Sequence, residues 1–155
     1  DHIRIKQTSK PGFTKGVQKW TRSKWLYAPT RRSIFSAPDA VKYRGLTAKR
    51  LEELGVDFVD ITDINDEAFF TMMSLEKIIA KFKKEKVDGL FLPHCNFGTE
   101  YECARLAKAL DVPVLLWGPL DERPEPDGTR LRDTQCGLLQ QVKSSEDSAF
   151  HLHND

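Results

Sequence analysis

The chain has no hydrophobic run approaching the roughly 20 residues that span a bilayer, no excess of either charge, and only three cysteines. Each shortage excludes a class of protein. A charged start with no apolar core behind it does not read as a secretory leader, and no membrane partner is expected. Lys and Arg number 24 against 23 Asp and Glu, a net charge of +1, so bulk electrostatics gives no reason to expect nucleic acid. Cys95, Cys103 and Cys136 are odd in number and form no CxxC pair; free thiols in a reducing cytoplasm are the simplest reading. GxGxxG and GxxxxGK[ST] are both missing, which removes the usual dinucleotide and P-loop sites.

What is present is ordinary globular material. The 155 residues are 39% hydrophobic and 30% charged, enough for one domain with a real core. Residues 1–23 are basic and aperiodic and read as a flexible arm of solvated charge. Organisation begins at Lys24. Trp25–Ala28, Val56–Ile61, Val87–Leu92 and Val112–Trp117 are strand patterns, and the last, nearly all apolar, predicts burial on both faces. Between them lie three helix patterns. Ser36, Pro38 and Asp39 suit a first turn; Ala40, Tyr43, Thr47, Leu51 and Leu54 then share one face, and Gly55 can end the helix. Ser74 is placed to cap a second helix whose Leu75, Ile78, Ile79 and Phe82 follow helical spacing, with lysines at its end. Thr99 and Glu102 have the spacing of a capping box before Cys103, Leu106, Ala107 and Leu110. Strand and helix in alternation predict an α/β fold: a doubly wound, flavodoxin-like parallel sheet of four to five strands with flanking helices, spanning residues 24–138. In such sheets ligands sit beyond the carboxyl ends of the strands, which puts the segments 29–36, 63–67, 93–98 and 118–131 on one rim.

Several polar residues fall on that rim. Arg31 and Arg32 can fork onto a carboxylate, a phosphate or sugar hydroxyls, or else form an exposed pair meeting solvent or a neighbouring subunit. His94, Cys95 and Asn96 follow the third strand directly. A Cys–His pair suggests a thiolate nucleophile, yet adjacent residues on an extended strand point to opposite faces, so a core Cys95 and a rim His94 fit better. Nothing supplies the four closely spaced ligands of a zinc site, and His151 and His153 read as an accidental pairing in a polar tail. Asp121, Glu122, Arg123, Asp127, Arg130, Arg132 and Asp133 make the loop after the fourth strand dense in both signs. Such loops are usually solvated surface. Here their carboxylates could accept sugar hydroxyls or pair with the arginines. The expected binding rim is therefore Arg31, Arg32, His94, Asn96, Asp121 and Arg132, with no catalytic or metal-ligating residue among them.

Three stretches, APTRRSIFSAPDA, PHCNFGTE and LLWGPLDERPEPDGTRLRDTQCGL, occur in this order. Together they resemble the amino-terminal part of L-fucose isomerase-like proteins, a group related to the L-fucose and L-arabinose isomerases. The resemblance runs from Tyr27 to about Leu138. It implies a cytoplasmic family that interconverts aldoses and ketoses as oligomers with a divalent metal, usually manganese. The first α/β domain then contributes sugar recognition, commonly to a neighbouring subunit's active site. Arg31 or Arg32 matches the family's sugar-contacting arginine, and Asn96 falls where the fucose isomerases place an aromatic sugar contact. The family's metal-binding Glu, Asp and His lie in later domains. The resemblance thus implies a homo-oligomeric, sugar-binding domain that carries no cofactor itself and no isomerase activity alone.

The stretch 139–155 departs from that pattern. Relatives continue after Gly137 and Leu138 roughly as ATGKVLRRFGVPFT, whereas this chain reads LQQVKSSEDSAFHLHND. With permitted codon choices for Leu139–Leu152, reading from the third base of the Leu139 codon translates as the relatives' stretch. Leu139 onward is accordingly expected to be out-of-frame sequence on a frameshift-truncated chain; a divergent tail or codon coincidence are the ordinary explanations. Two other functional readings stand beside a sugar-isomerase domain. One is a stand-alone small-molecule or carbohydrate-binding module, since the fold hosts many functions. The other is a small enzyme using the Cys95 thiol.

Overall fold

A computed structural model describes residues 23–65 and 67–147. The expected arm, apart from Ser23, and His151 and His153 lie outside the described residues. Among the described residues four strands and four α-helices alternate: β1 (Lys24–Tyr27), α1 (Ala37–Glu53), β2 (Asp57–Val59), α2 (Leu75–Glu85), β3 (Gly89–Pro93), α3 (Glu100–Leu110), β4 (Val114–Trp117) and α4 (Thr134–Asp147). The sheet is wholly parallel, in the order β2-β1-β3-β4. This is the expected α/β sheet, with four strands. Among the described residues no helix is long and apolar enough to cross a membrane.

The register assigns each side chain to a face. Leu26 pairs with Leu90 and Leu90 with Val114, and these, with Leu92 and Leu116, form one core with Leu75, Ile78 and Phe82 of α2 and Cys103, Leu106 and Ala107 of α3. The helical spacing read from the sequence is what buries those positions. On the opposite face Tyr27 packs against Phe58 and Phe91 with ring centroids 5.7 and 5.8 Å apart. Its hydroxyl donates to the Arg44 carbonyl of α1 at 2.8 Å. A smaller cluster of Ala40, Phe69 and Cys95, with Tyr43 against it, fills the space beneath α1.

Local signals acted unevenly. Ser36 Oγ accepts the Asp39 N–H at 3.3 Å with Pro38 in the first turn, and Gly55 takes φ +66° just beyond α1. Leu54, expected on the buried face, is 61% exposed, because it stands past the helix end. Ser74 precedes α2 without a side-chain cap; its hydroxyl donates back to the Thr71 carbonyl within a 3-10 turn, Met72–Ser74. Thr99 likewise makes no cap, its hydroxyl lying 3.8 Å from Cys103 Sγ. Burial of β4 on both faces is also corrected. It is an edge strand, its side chains alternate in exposure, and Leu115 and Trp117 remain 49% and 40% exposed.

Helix α4 packs on α3 and runs unbroken across the 138/139 position. Its approach is close: a Cβ at Gly137 would fall inside the van der Waals radius of the Phe97 carbonyl. Gly137→Ala is expected to destabilise the domain by about 1–3 kcal/mol through overpacking. A urea midpoint equal to that of the parent would show that α4 does not dock against Phe97 in this way.

Candidate functional site

β1 and β3 lie side by side, yet the chain leaves them in opposite directions, through α1 towards β2 and through α3 towards β4. That divergence opens a crevice at their carboxyl ends, where doubly wound sheets hold ligands. The two emerging loops continue the parallel pairing for one more step. Thr30 bridges His94, with Thr30 N–H donating to the Pro93 carbonyl at 2.9 Å and Cys95 N–H to the Thr30 carbonyl at 3.0 Å.

Arg31 and Arg32 therefore enter at the floor of the crevice, each between an aromatic ring and a carboxylate. Arg31 stacks over Phe69 at 5.0 Å and pairs with Glu67. Arg32 stacks over Phe97 at 4.7 Å and pairs with Glu100 at 2.6 Å. Asn96 is wholly buried. Its Oδ1 accepts the N–H groups of Arg32 and Phe97, both at 2.7 Å, and its Nδ2 donates to the Arg32 carbonyl at 3.2 Å. The side chain thus faces the backbone of the opposing loop. Phe35 stacks on Phe97 at 5.4 Å and completes the wall.

His94 is fully buried, and neither ring nitrogen has a hydrogen bond of good geometry among the described residues. Gly98, at φ +95°, passes so near the imidazole that a Cβ there would overlap it. Burial holds the ring neutral and lowers its pKa to about 4. Burial also pushes the adjacent Cys95 thiol up to about 12, so the thiolate that nucleophilic chemistry requires is strongly disfavoured.

Asp121 and Arg132 lie further along the rim and fasten the loop after β4. Asp121 Oδ1 accepts the Thr134 N–H at 3.0 Å and hydroxyl at 2.6 Å, while Oδ2 takes the Gln135 N–H at 3.3 Å. These are free donors at the start of α4, satisfied by a carboxylate. Arg132 is 1% exposed. Its guanidinium sits 3.6 Å from the Tyr43 ring centroid, donates to Glu122 at 3.0 Å and to the Leu120 carbonyl at 2.8 Å. Tyr43 Oη in turn donates to Glu122 at 2.6 Å, and Ser36 N–H reaches the Leu131 carbonyl at 3.0 Å.

All six expected residues thus lie on one rim, with Arg31, Arg32, His94 and Asn96 at the crevice and Asp121 and Arg132 on its outer strap. Sequence reading missed Glu67, Phe69, Phe97 and the buried Glu100 as partners of the arginines. Phe97 and Glu100 stood inside PHCNFGTE, where an aromatic and an acid beside a polar loop were the available signal. Among the described residues, no three His, Cys, Asp or Glu side chains gather as a metal ion requires.

The buried histidine makes stability depend on pH. Its folded pKa lies below the ordinary 6.5, so the unfolded state binds the proton first and stability falls as pH drops from about 6.5 towards 4. Between pH 7 and pH 4.5 His94 is expected to contribute about 2–3 kcal/mol to that loss. In His94→Leu the difference between urea midpoints at the two pH values should shrink accordingly; an undiminished difference would place the effect elsewhere.

Three comparisons bear on what this domain is. No curated protein sequence matches the chain. Among solved structures, a manganese-bound mutant of a periplasmic metal-binding protein from Candidatus Liberibacter asiaticus shares 12% identity at a TM-score of 0.38, covering 82% of this chain. This chain spans 40% of that protein, and a likeness at that score carries no argument. The sequence profile of the fucose/sulfoquinovose isomerase N-terminal domain matches residues 27–145, a span that starts at the last residue of β1 and holds the other three strands and the crevice. The chain belongs to the fucose/sulfoquinovose isomerase family, of which it carries the N-terminal domain.

Proposed function

We propose that this domain is the sugar-recognition part of an aldose–ketose isomerase, holding its sugar at the β1/β3 crevice. The observation that carries this is the arginine pair, oriented by Phe69 and Phe97 and each paired with a carboxylate. A guanidinium offers several donors in one plane. Vicinal sugar hydroxyls accept such donors, and the stacked rings limit the side-chain freedom lost on binding. The neutral imidazole of His94, fully buried behind Gly98, lies beneath the crevice and adds no charge to it. Asn96, Asp121 and Arg132 act by keeping the three loops in register.

Isomerisation moves a proton between adjacent carbons through an ene-diol, which needs a base and, in this family, a divalent metal to polarise the oxygens. The described residues do not assemble a set fit to hold that metal. This domain's part is to bind and orient. In this reading manganese and the proton-transferring groups belong to other domains, the site is completed within a cytoplasmic homo-oligomer, and Leu139 onward is out-of-frame sequence. Sequencing the gene across codon 139 checks the last point: an isomerase reading frame continuing in the shifted frame is expected, and its absence makes the tail genuine.

Arg31→Ala combined with Arg32→Lys, which keeps a cation beside the buried Glu100, is expected to weaken L-fucose or sulfoquinovose binding at least tenfold, about 1.4 kcal/mol. Isothermal titration calorimetry against the parent protein reads this directly. Equal affinities would remove the arginines from recognition.

A further inference from the structure

A second feature lies on the other side of β1. Between α1 and the carboxyl ends of β1 and β2 is a pocket of about 190 Å³, room for about six waters at liquid density. Pro29 is the one member of the arginine-bearing loop that lines it; Arg31, Arg32, His94 and Asn96 do not.

Gly45 makes this pocket unusual. It sits inside α1, where glycine costs about 1 kcal/mol relative to alanine, yet a Cβ there would meet no atom within 4 Å. Packing therefore does not demand glycine. What the missing side chain does is leave the pocket open, and Ala48, one turn on, is small as well. The inner wall is apolar, formed by Tyr27, Ile61 and Ala68, each less than 5% exposed. Ala68 stands at φ +52°, a left-handed conformation costing a non-glycine residue about 1–2 kcal/mol, and an Arg44 hydrogen bond to the neighbouring Glu67 carbonyl braces it.

The polar groups of the pocket are few and complementary. Asp60 Oδ1 is engaged by Thr62 at 2.7 and 3.2 Å, while Oδ2 accepts no hydrogen bond among the described residues. Arg44 uses Nη1 on the Glu67 carbonyl and keeps its remaining donors. One anionic acceptor and one cationic donor balance in charge, so a neutral ligand is preferred over an ion. A hydroxyl both donates and accepts, matching Asp60 on one side and Arg44 on the other, and the C–H face of a ring suits the apolar wall.

We infer that this pocket is a second ligand site, separate from the arginine crevice, which takes one small neutral polyhydroxylated ring. L-Fucose is the probe, titrated into ¹⁵N-labelled full chain and followed by amide shifts. Saturable shifts at Gly45, Ala48, Thr62 and Ala68 are expected, and Gly45→Leu, which fills the pocket from a helix position that favours leucine, should weaken them about tenfold or more with no fall in Tm. If Gly45→Leu does lower Tm, Asp60→Asn replaces it, with the same loss expected. Shifts confined to Thr30, Arg31 and Arg32 would overturn the second site and leave the crevice reading intact. Shifts nowhere would overturn both, and pocket shifts that survive both substitutions would overturn the second site alone.

Discussion

The carboxamide of Asn96 joins two backbone segments that lie 64 residues apart in sequence. Its oxygen takes the N–H groups of Arg32 and Phe97, and its nitrogen gives to the Arg32 carbonyl. The arrangement fixes much else. With Arg32 held at its backbone, its guanidinium lies over Phe97 and against Glu100; with Phe97 held, the carbonyl on which α4 docks is held too. Because Asn96 is buried, each of these hydrogen bonds is expensive to lose, about 1–3 kcal/mol for a buried group left unpartnered. A residue whose type suggests ligand contact is here the fastening between β1 and β3.

The same economy of parts recurs along the rim. Arg31, Arg32 and Arg132 are each placed by an aromatic ring on one side and an acid on the other: Phe69 with Glu67, Phe97 with Glu100, Tyr43 with Glu122. The acids differ in setting. The Glu67 side chain is 62% exposed and that of Glu100 9%, so water and salt screen the first pair far more than the second. Arg31 is therefore the more readily released of the two crevice arginines. Arg32 stays with its acid unless a partner of equal quality replaces it.

The sheet and its order of helices were legible in the sequence because they rest on short-range periodicity. Leu75, Ile78 and Phe82 announce a buried stripe regardless of what they bury against, and Ser36 with Asp39 specifies a helix start from four residues. The misreadings arise where one residue pattern allows two outcomes, and the choice rests on a side-chain partner or a neighbouring layer. Thr99 has capping-box spacing, but its hydroxyl points at Cys103; Leu115 and Trp117 have the composition of a buried strand, but their burial depends on whether another layer stands beside β4. The arginines of the crevice could be found from their loop. Of their acids, Glu100 had only its place inside PHCNFGTE as a signal, and nothing local distinguishes Glu67 from any other surface glutamate. Family motifs supplied the functional reading that periodicity lacked.

Parallel pairing also gives the crevice a place in time. β1 has its neighbours in β2 and β3, and the Thr30–His94 bridge and the Asn96 fastening both wait for residues made long after Arg31 and Arg32. At ribosomal speeds of about 5–20 residues per second, the 64-residue separation of Arg32 and Asn96 corresponds to roughly 3–13 s of synthesis. During that interval the arginine loop has left the peptidyl-transferase centre without its opposing wall, and helix α1, whose contacts are local, can form first. The crevice therefore closes well after its own arginine loop is made, once the chain has passed the far end of β3.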